Sequence, residues 1–173
     1  ASNGTTAGTY QVADINPGTG SSSPTDFVAV GSRVVFEATD GTTGWEPWAT
    51  DGTEAGTEQL VDLRDDTQSS YPAALSEVGS YLVFSTGNSN NPTAFWRSDG
   101  TESGTIEVAQ LNNTDHIFDI GGLPHLVVES SLYWSNWTDT GTVSYFSFAS
   151  GIDLEAGTAL YDGTFYFAAD DGN

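Results

Sequence analysis

The amino-acid sequence predicts an all-β chain: a β-propeller-like array of four-stranded antiparallel blades, about three to four repeats long, with one strand position vacant. Three observations carry that expectation. A polar loop motif returns at a fixed interval, four short apolar segments fill each interval, and one of those segments is apolar without alternation.

The loop motif is Asp51-Gly52-Thr53-Glu54-Ala55-Gly56-Thr57, which recurs 48 residues later as Asp99-Gly100-Thr101-Glu102-Ser103-Gly104-Thr105. A third copy, Asn3-Gly4-Thr5-Thr6-Ala7-Gly8-Thr9, stands 48 residues earlier with Asn in place of Asp. The pairs Asp14 and Asp62, Ser22 and Ser70, Pro24 and Pro72, and Phe36 and Phe84 keep the same spacing. Units then run over approximately 10–57, 58–105 and 106–154, with a partial last unit made of 155–173 and 1–9, all in a single repeat domain.

In the second unit the apolar segments are 73–78, 81–85, 94–97 and 106–109, a spacing that suits an all-β protein. The second segment aligns across units as Val34-Val35-Phe36, Leu82-Val83-Phe84, Leu132-Tyr133-Trp134 and Phe165-Tyr166-Phe167. A strand apolar on both faces needs cover on both sides, so stacked sheets are expected around Phe36, Phe84, Trp134 and Phe167. Beyond the second unit the spacing drifts, and the third unit is expected to lack the Asp-Gly-Thr loop. At the ends, Asn173 aligns with Thr43 and Ala1 with Ala49, so only the counterpart of 44–48 is missing between them. A sheet with that gap attracts another strand, from further repeats of a longer chain or from a second copy.

Composition narrows the function. The chain carries 24 Asp and Glu against Arg33, Arg64 and Arg97, with no lysine and a net charge of −21. Such a surface repels phosphate backbones and anionic lipid, so neither nucleic-acid binding nor membrane docking is expected. No apolar run approaches the roughly 20 residues of a membrane helix. There is no cysteine and hence no disulfide or thiolate site; there is no methionine either, so the chain is expected to be processed, with Ala1 following a removed signal peptide. A soluble, secreted, cell-surface location follows, where salt or divalent cations screen the charge.

Glu46-Pro47-Trp48-Ala49-Thr50-Asp51-Gly52-Thr53 resembles the signature of the ELWxxDGT repeat family, secreted bacterial surface proteins described as hyalin-like, with Pro47 where that family has Leu. Trp96, Asp99, Gly100 and Thr101 repeat the pattern without the Glu. The resemblance covers most of residues 1–109 and implies an extracellular repeat array with no established reaction.

Asp51 and Asp99 suit Asx-turns, with Gly52 and Gly100 at positive φ and Thr53 and Thr101 adding hydroxyl bonds. Calcium is the one cofactor the residues suggest, through Asp51 with Glu54 and Asp99 with Glu102. Asp62, Asp65 and Asp66, and Asp170 with Asp171, are further acidic clusters of a kind usually solvated. His116 and His125 match no zinc spacing, no nucleophile motif is present, and no carboxylate pair stands out among 24, so no catalytic residue is assigned. Trp48 and Trp96 read as anchors between blades, whereas Trp137, aligned with Thr39 and Gly87 where a strand gives way to a turn, is either buried by repacking of the third unit or exposed, with Tyr133, as a sugar-stacking or partner surface. Asn3-Gly4-Thr5, Asn112-Asn113-Thr114 and Asn136-Trp137-Thr138 are formal glycosylation sequons. These readings favour a noncatalytic, self-associating structural or adhesive module. A carbohydrate-binding domain built on the divergent third repeat and a polysaccharide-active propeller enzyme remain the alternatives.

Overall fold

A computed structural model describes the chain except for residues 65–66, 88–93, 112–113, 129–130, 139–140, 148–151, 163 and 170–173. Asp65, Asp66, Asp170, Asp171 and the Asn112-Asn113 sequon positions therefore lie outside the described residues. Three four-stranded antiparallel sheets follow one another along the chain. The first holds β1 (Thr25–Val30), β2 (Arg33–Ala38), β3 (Glu46–Thr50) and β4 (Glu58–Gln59). The second holds β5 (Ala73–Val78), β6 (Tyr81–Thr86), β7 (Ala94–Ser98) and β8 (Ile106–Gln110). The third holds β9 (Thr114–Ile120), β10 (Leu123–Val128), β11 (Ser131–Ser135) and β12 (Thr142–Ser147). Each is a meander whose neighbours in sequence are neighbours in the sheet, and β13 (Ile152–Tyr161) with β14 (Thr164–Ala169) makes a separate two-stranded sheet.

The sheets stack through their apolar faces, with β5 lying against both β1 and β9. Val30, Val35, Ala49 and Leu60 of the first sheet and its following connection close on Leu82 and Phe84 of the second. Val78, Val83, Phe95 and Val108 of the second close on Ile117, Leu126 and Val128 of the third. Strand β6 therefore sends Leu82 and Phe84 one way and Val83 the other, which is why its sequence is apolar without alternation. Phe84 is buried between sheets, as expected; Phe36 is buried too, but outside the cluster between the first and second sheets, and Trp134 is half-buried.

Two sequence expectations need correcting. Leu132-Tyr133-Trp134 lies in β11, the third strand of its sheet; the counterpart of Phe84 is Leu126 in β10. The third unit has short connections, residues 129–130 between β10 and β11 against 87–93 in the second sheet, so a fixed 48-residue ruler slips there. Phe165-Tyr166-Phe167 lies, as aligned, in a second strand, here that of the two-stranded sheet, and the side chain of Phe167 is outside the described residues. Among the described residues the two ends do not share a sheet: β13 and β14 pair with each other, and residues 1–10 close on themselves through the Ser2–Thr9 bridge and the Ala1–Tyr10 backbone bonds.

Candidate functional site

One hairpin-loop frame recurs four times in the sequence. It reads Ser or Thr, Asx, any residue, Thr, two variable residues, Gly, Thr: 2–9, 50–57, 98–105 and 135–142. The first and last hydroxyls meet at 2.7 Å in every copy: Ser2 with Thr9, Thr50 with Thr57, Ser98 with Thr105 and Ser135 with Thr142. The Asx Oδ1 accepts both the backbone N–H and the hydroxyl of the Thr two residues on, as in Thr53 to Asp51 at 2.9 and 2.7 Å and Thr138 to Asn136 at 3.3 and 2.7 Å. That Thr hydroxyl accepts the N–H of the late Gly, Gly56 and Gly141 among them. A Cβ on the late Gly would overlap the Asx side chain, so any other residue there displaces the Asx from its bonds.

The third unit thus keeps its loop as Asn136-Trp137-Thr138, a correction to its expected loss. Trp137 occupies the position of Gly52 and Gly100, not of Thr39 and Gly87, and shares their positive φ: 72° for Trp137, against 91° and 86°. A left-handed conformation at a bulky residue costs of order 1–2 kcal/mol, so surrounding contacts must hold it. At the first junction between sheets, Gly100 lies against the Arg33 side chain. The Arg33 guanidinium donates to Glu58 Oε1 at 2.8 Å, to the Gly100 carbonyl at 2.7 Å and to the Gly56 carbonyl at 2.8 Å, joining two loops. At the second junction Tyr81 replaces Arg33 and Trp137 replaces Gly100. Their rings meet at 5.1 Å, and the Arg97 guanidinium lies 4.5 Å from the Tyr81 ring centre and 5.9 Å from that of Trp137. Trp137 and Tyr133 both pack, half-buried, on the core between the second and third sheets. Arg97 Nε is buried without a hydrogen-bond partner, and among the described residues no carboxylate lies within ion-pair distance of Arg97.

The signature residues sit in structural roles. Glu46 is fully buried and its two oxygens accept the N–H groups of Leu63 at 3.1 Å and Ser70 at 2.9 Å, pinning the connection from the first sheet to the second. Burial raises its carboxyl to about 7 against the pull of those bonds. Trp96 stacks on Phe84 at 6.4 Å and donates from Nε1 to Thr86, at the first junction. Trp48, expected as an anchor between blades, is instead half-buried and pairs across the ladder with Phe36, outside the cluster between the first and second sheets. Asp51 and Asp99 are held below the ordinary carboxylate range chiefly by the Thr53 and Thr101 hydroxyls. Glu54 and Glu102 lie exposed beside them, and among the described residues no three acidic or imidazole groups come together as a metal site. His125 Nδ1 lies 3.1 Å from the Leu123 carbonyl, and the His116 side chain is outside the described residues.

Sequence reasoning passed over Arg33, Tyr81 and Arg97, whose importance arises only where units meet. The fourth loop was detectable from Ser135, Thr138, Gly141 and Thr142 once Asn was accepted for Asp, as it already was at Asn3. Fold and loops together define an all-β protein of repeated four-stranded sheets. No family model, curated protein or solved structure matches the chain.

Proposed function

We propose that this chain is a noncatalytic extracellular structural or adhesive repeat module, its sheets stacked in the manner of propeller blades, which associates with further copies of itself. One observation carries the reading: the residues that define the repeat serve the framework. Asp51 and Asp99 close hairpins, Glu46 pins a connection and Trp96 fills a junction between sheets. The strongly acidic surface suits a salt- or calcium-containing exterior, and the resemblance to ELWxxDGT repeats supports the same reading. The test is incubation with a panel of extended polysaccharides and release of reducing ends: no turnover is expected, and cleavage of any of them refutes it.

A second reading, carbohydrate binding at the third unit, is favoured by one feature, the half-buried Trp137 and Tyr81 rings beneath an Arg97 with no carboxylate partner among the described residues. An aromatic face beside a guanidinium suits an acidic sugar. Trp137→Gly is the discriminating variant, because Gly occupies this loop position in the other copies. Glycan-array binding lost in Trp137→Gly with the β-sheet spectrum intact supports this reading, and an array with no bound glycan removes it.

A further inference from the structure

The three sheets carry the same face in the same direction. Cross-strand pairs mark it: Phe36 with Trp48 in the first, Phe84 with Trp96 in the second, Leu126 with Tyr133 in the third. In the second and third sheets this face is covered by the sheet before it. In the first sheet this face lies outside the cluster shared with the second sheet, and Phe36 is buried beside Phe27 and the chain leading into β1. Phe27 stacks on Phe36 there at 5.2 Å and is 60% exposed, beside a groove of about 330 Å³ lined by Val12, Ile15, Pro24, Phe27 and Phe36. At the other end of the series, the β13–β14 hairpin presents Tyr161 and Tyr166, 74% and 55% exposed, and the register places both on one face with Thr164.

We propose that the groove on the outer face of the first sheet, flanked by the exposed Phe27, receives the β13–β14 hairpin of a second copy of this chain, head to tail. The inference deepens the reading as a self-associating module and rests on it. The occupant follows from the fold: at both internal junctions this face is closed by another sheet of the same chain, and the hairpin, the last sheet in chain order, presents the exposed rings of Tyr161 and Tyr166. Within a single chain Phe27, Tyr161 and Tyr166 all remain exposed, so each is free to meet another molecule. A contact of two different surfaces propagates instead of closing as a pair. Because each copy carries −21, this apolar contact strengthens as salt screens the repulsion, whereas an ion-paired interface weakens.

Sedimentation velocity on the full chain tests it with two variants, Phe27→Ser and the double Tyr161→Ser/Tyr166→Ser, each checked for an unchanged β-sheet spectrum. The wild type is expected to sediment faster with rising concentration, more so at high salt. Each variant alone is expected to stay monomeric, and an equimolar mixture of the two to form a dimer and nothing larger, since each supplies the surface the other lacks. A wild type that stays monomeric, a Phe27→Ser chain that associates like the wild type, or a mixture that forms no dimer overturns the proposal. Polysaccharide cleavage sinks the noncatalytic reading whatever the sedimentation shows, so the two failures are told apart.

Discussion

At the scale of single residues the hairpin loop shows how few side chains a repeat needs. The Asx oxygen takes two donors from one Thr, and the late Gly leaves room for it. Gly104→Ala places a methyl against the Asp99 carboxylate and is expected to cost about 2 kcal/mol, read as a lower urea midpoint. Asp99→Asn, which copies the loops of Asn3 and Asn136, is expected to stay within about 0.5 kcal/mol of wild type; a loss as large as that of the glycine variant refutes this account. Acid acts on the same geometry. Asp40 is held down to about 2 by its bonds from Thr42 and Thr43, despite some burial. Its folded pKa lies below its unfolded value of 3.8, so its contribution is complete above that value and is lost as pH falls toward 2. Asp40→Asn is expected to flatten part of the acid limb of the stability curve between those values.

At the scale of elements, Glu46 and Arg33 act on connections and junctions. Removing the Glu46 acceptor takes the partner of the Leu63 N–H and leaves the Ser70 N–H with the Trp45 carbonyl, so Glu46→Ala is expected to cost about 1–3 kcal/mol. The pH dependence has the opposite sign to that of Asp40. Here the folded pKa, about 7, exceeds the unfolded 4.5, so the native state holds the proton more tightly and stability declines as pH rises between those values. The expected slope is about 1 kcal/mol per pH unit, and Glu46→Gln removes it; a variant that keeps the wild-type slope contradicts the assignment. Arg33 joins three acceptors from two successive loops with one planar fork. Arg33→Lys offers a single ammonium and is expected to recover only part of the loss in Arg33→Ala, about 1–2 kcal/mol by denaturant titration.

At the scale of the whole molecule, stacking carries the apolar burial and charge opposes it. The buried clusters lie between sheets, and Phe84, fully buried at the first junction, has the burial expected of a core anchor. Opposing it, 24 carboxylates face three arginines, so added NaCl is expected to raise the melting temperature until the repulsion is screened. Calcium at matched ionic strength is expected to raise it further if Asp51 with Glu54 and Asp99 with Glu102 take the ion; equal melting temperatures in the two salts refute calcium binding.

Strand positions in the first two units, the β class and the loop chemistry were legible in the sequence, because they rest on local rules: apolar runs, turn residues and a fixed interval. Asp51, Gly52 and Thr53 interact within a few residues of one another, so their order alone determined the hairpin. The third unit was misread because shortened connections shift an interval without changing the sheet, and only ladder pairing identifies Leu126 as the partner of Tyr133. Tertiary structure alone decided the contacts between units. Arg33 with Gly100 lies 67 residues apart, and the Tyr81, Arg97 and Trp137 cluster joins two sheets. Such contacts depend on which face each sheet turns toward the next, a property of stacking that no local pattern encodes.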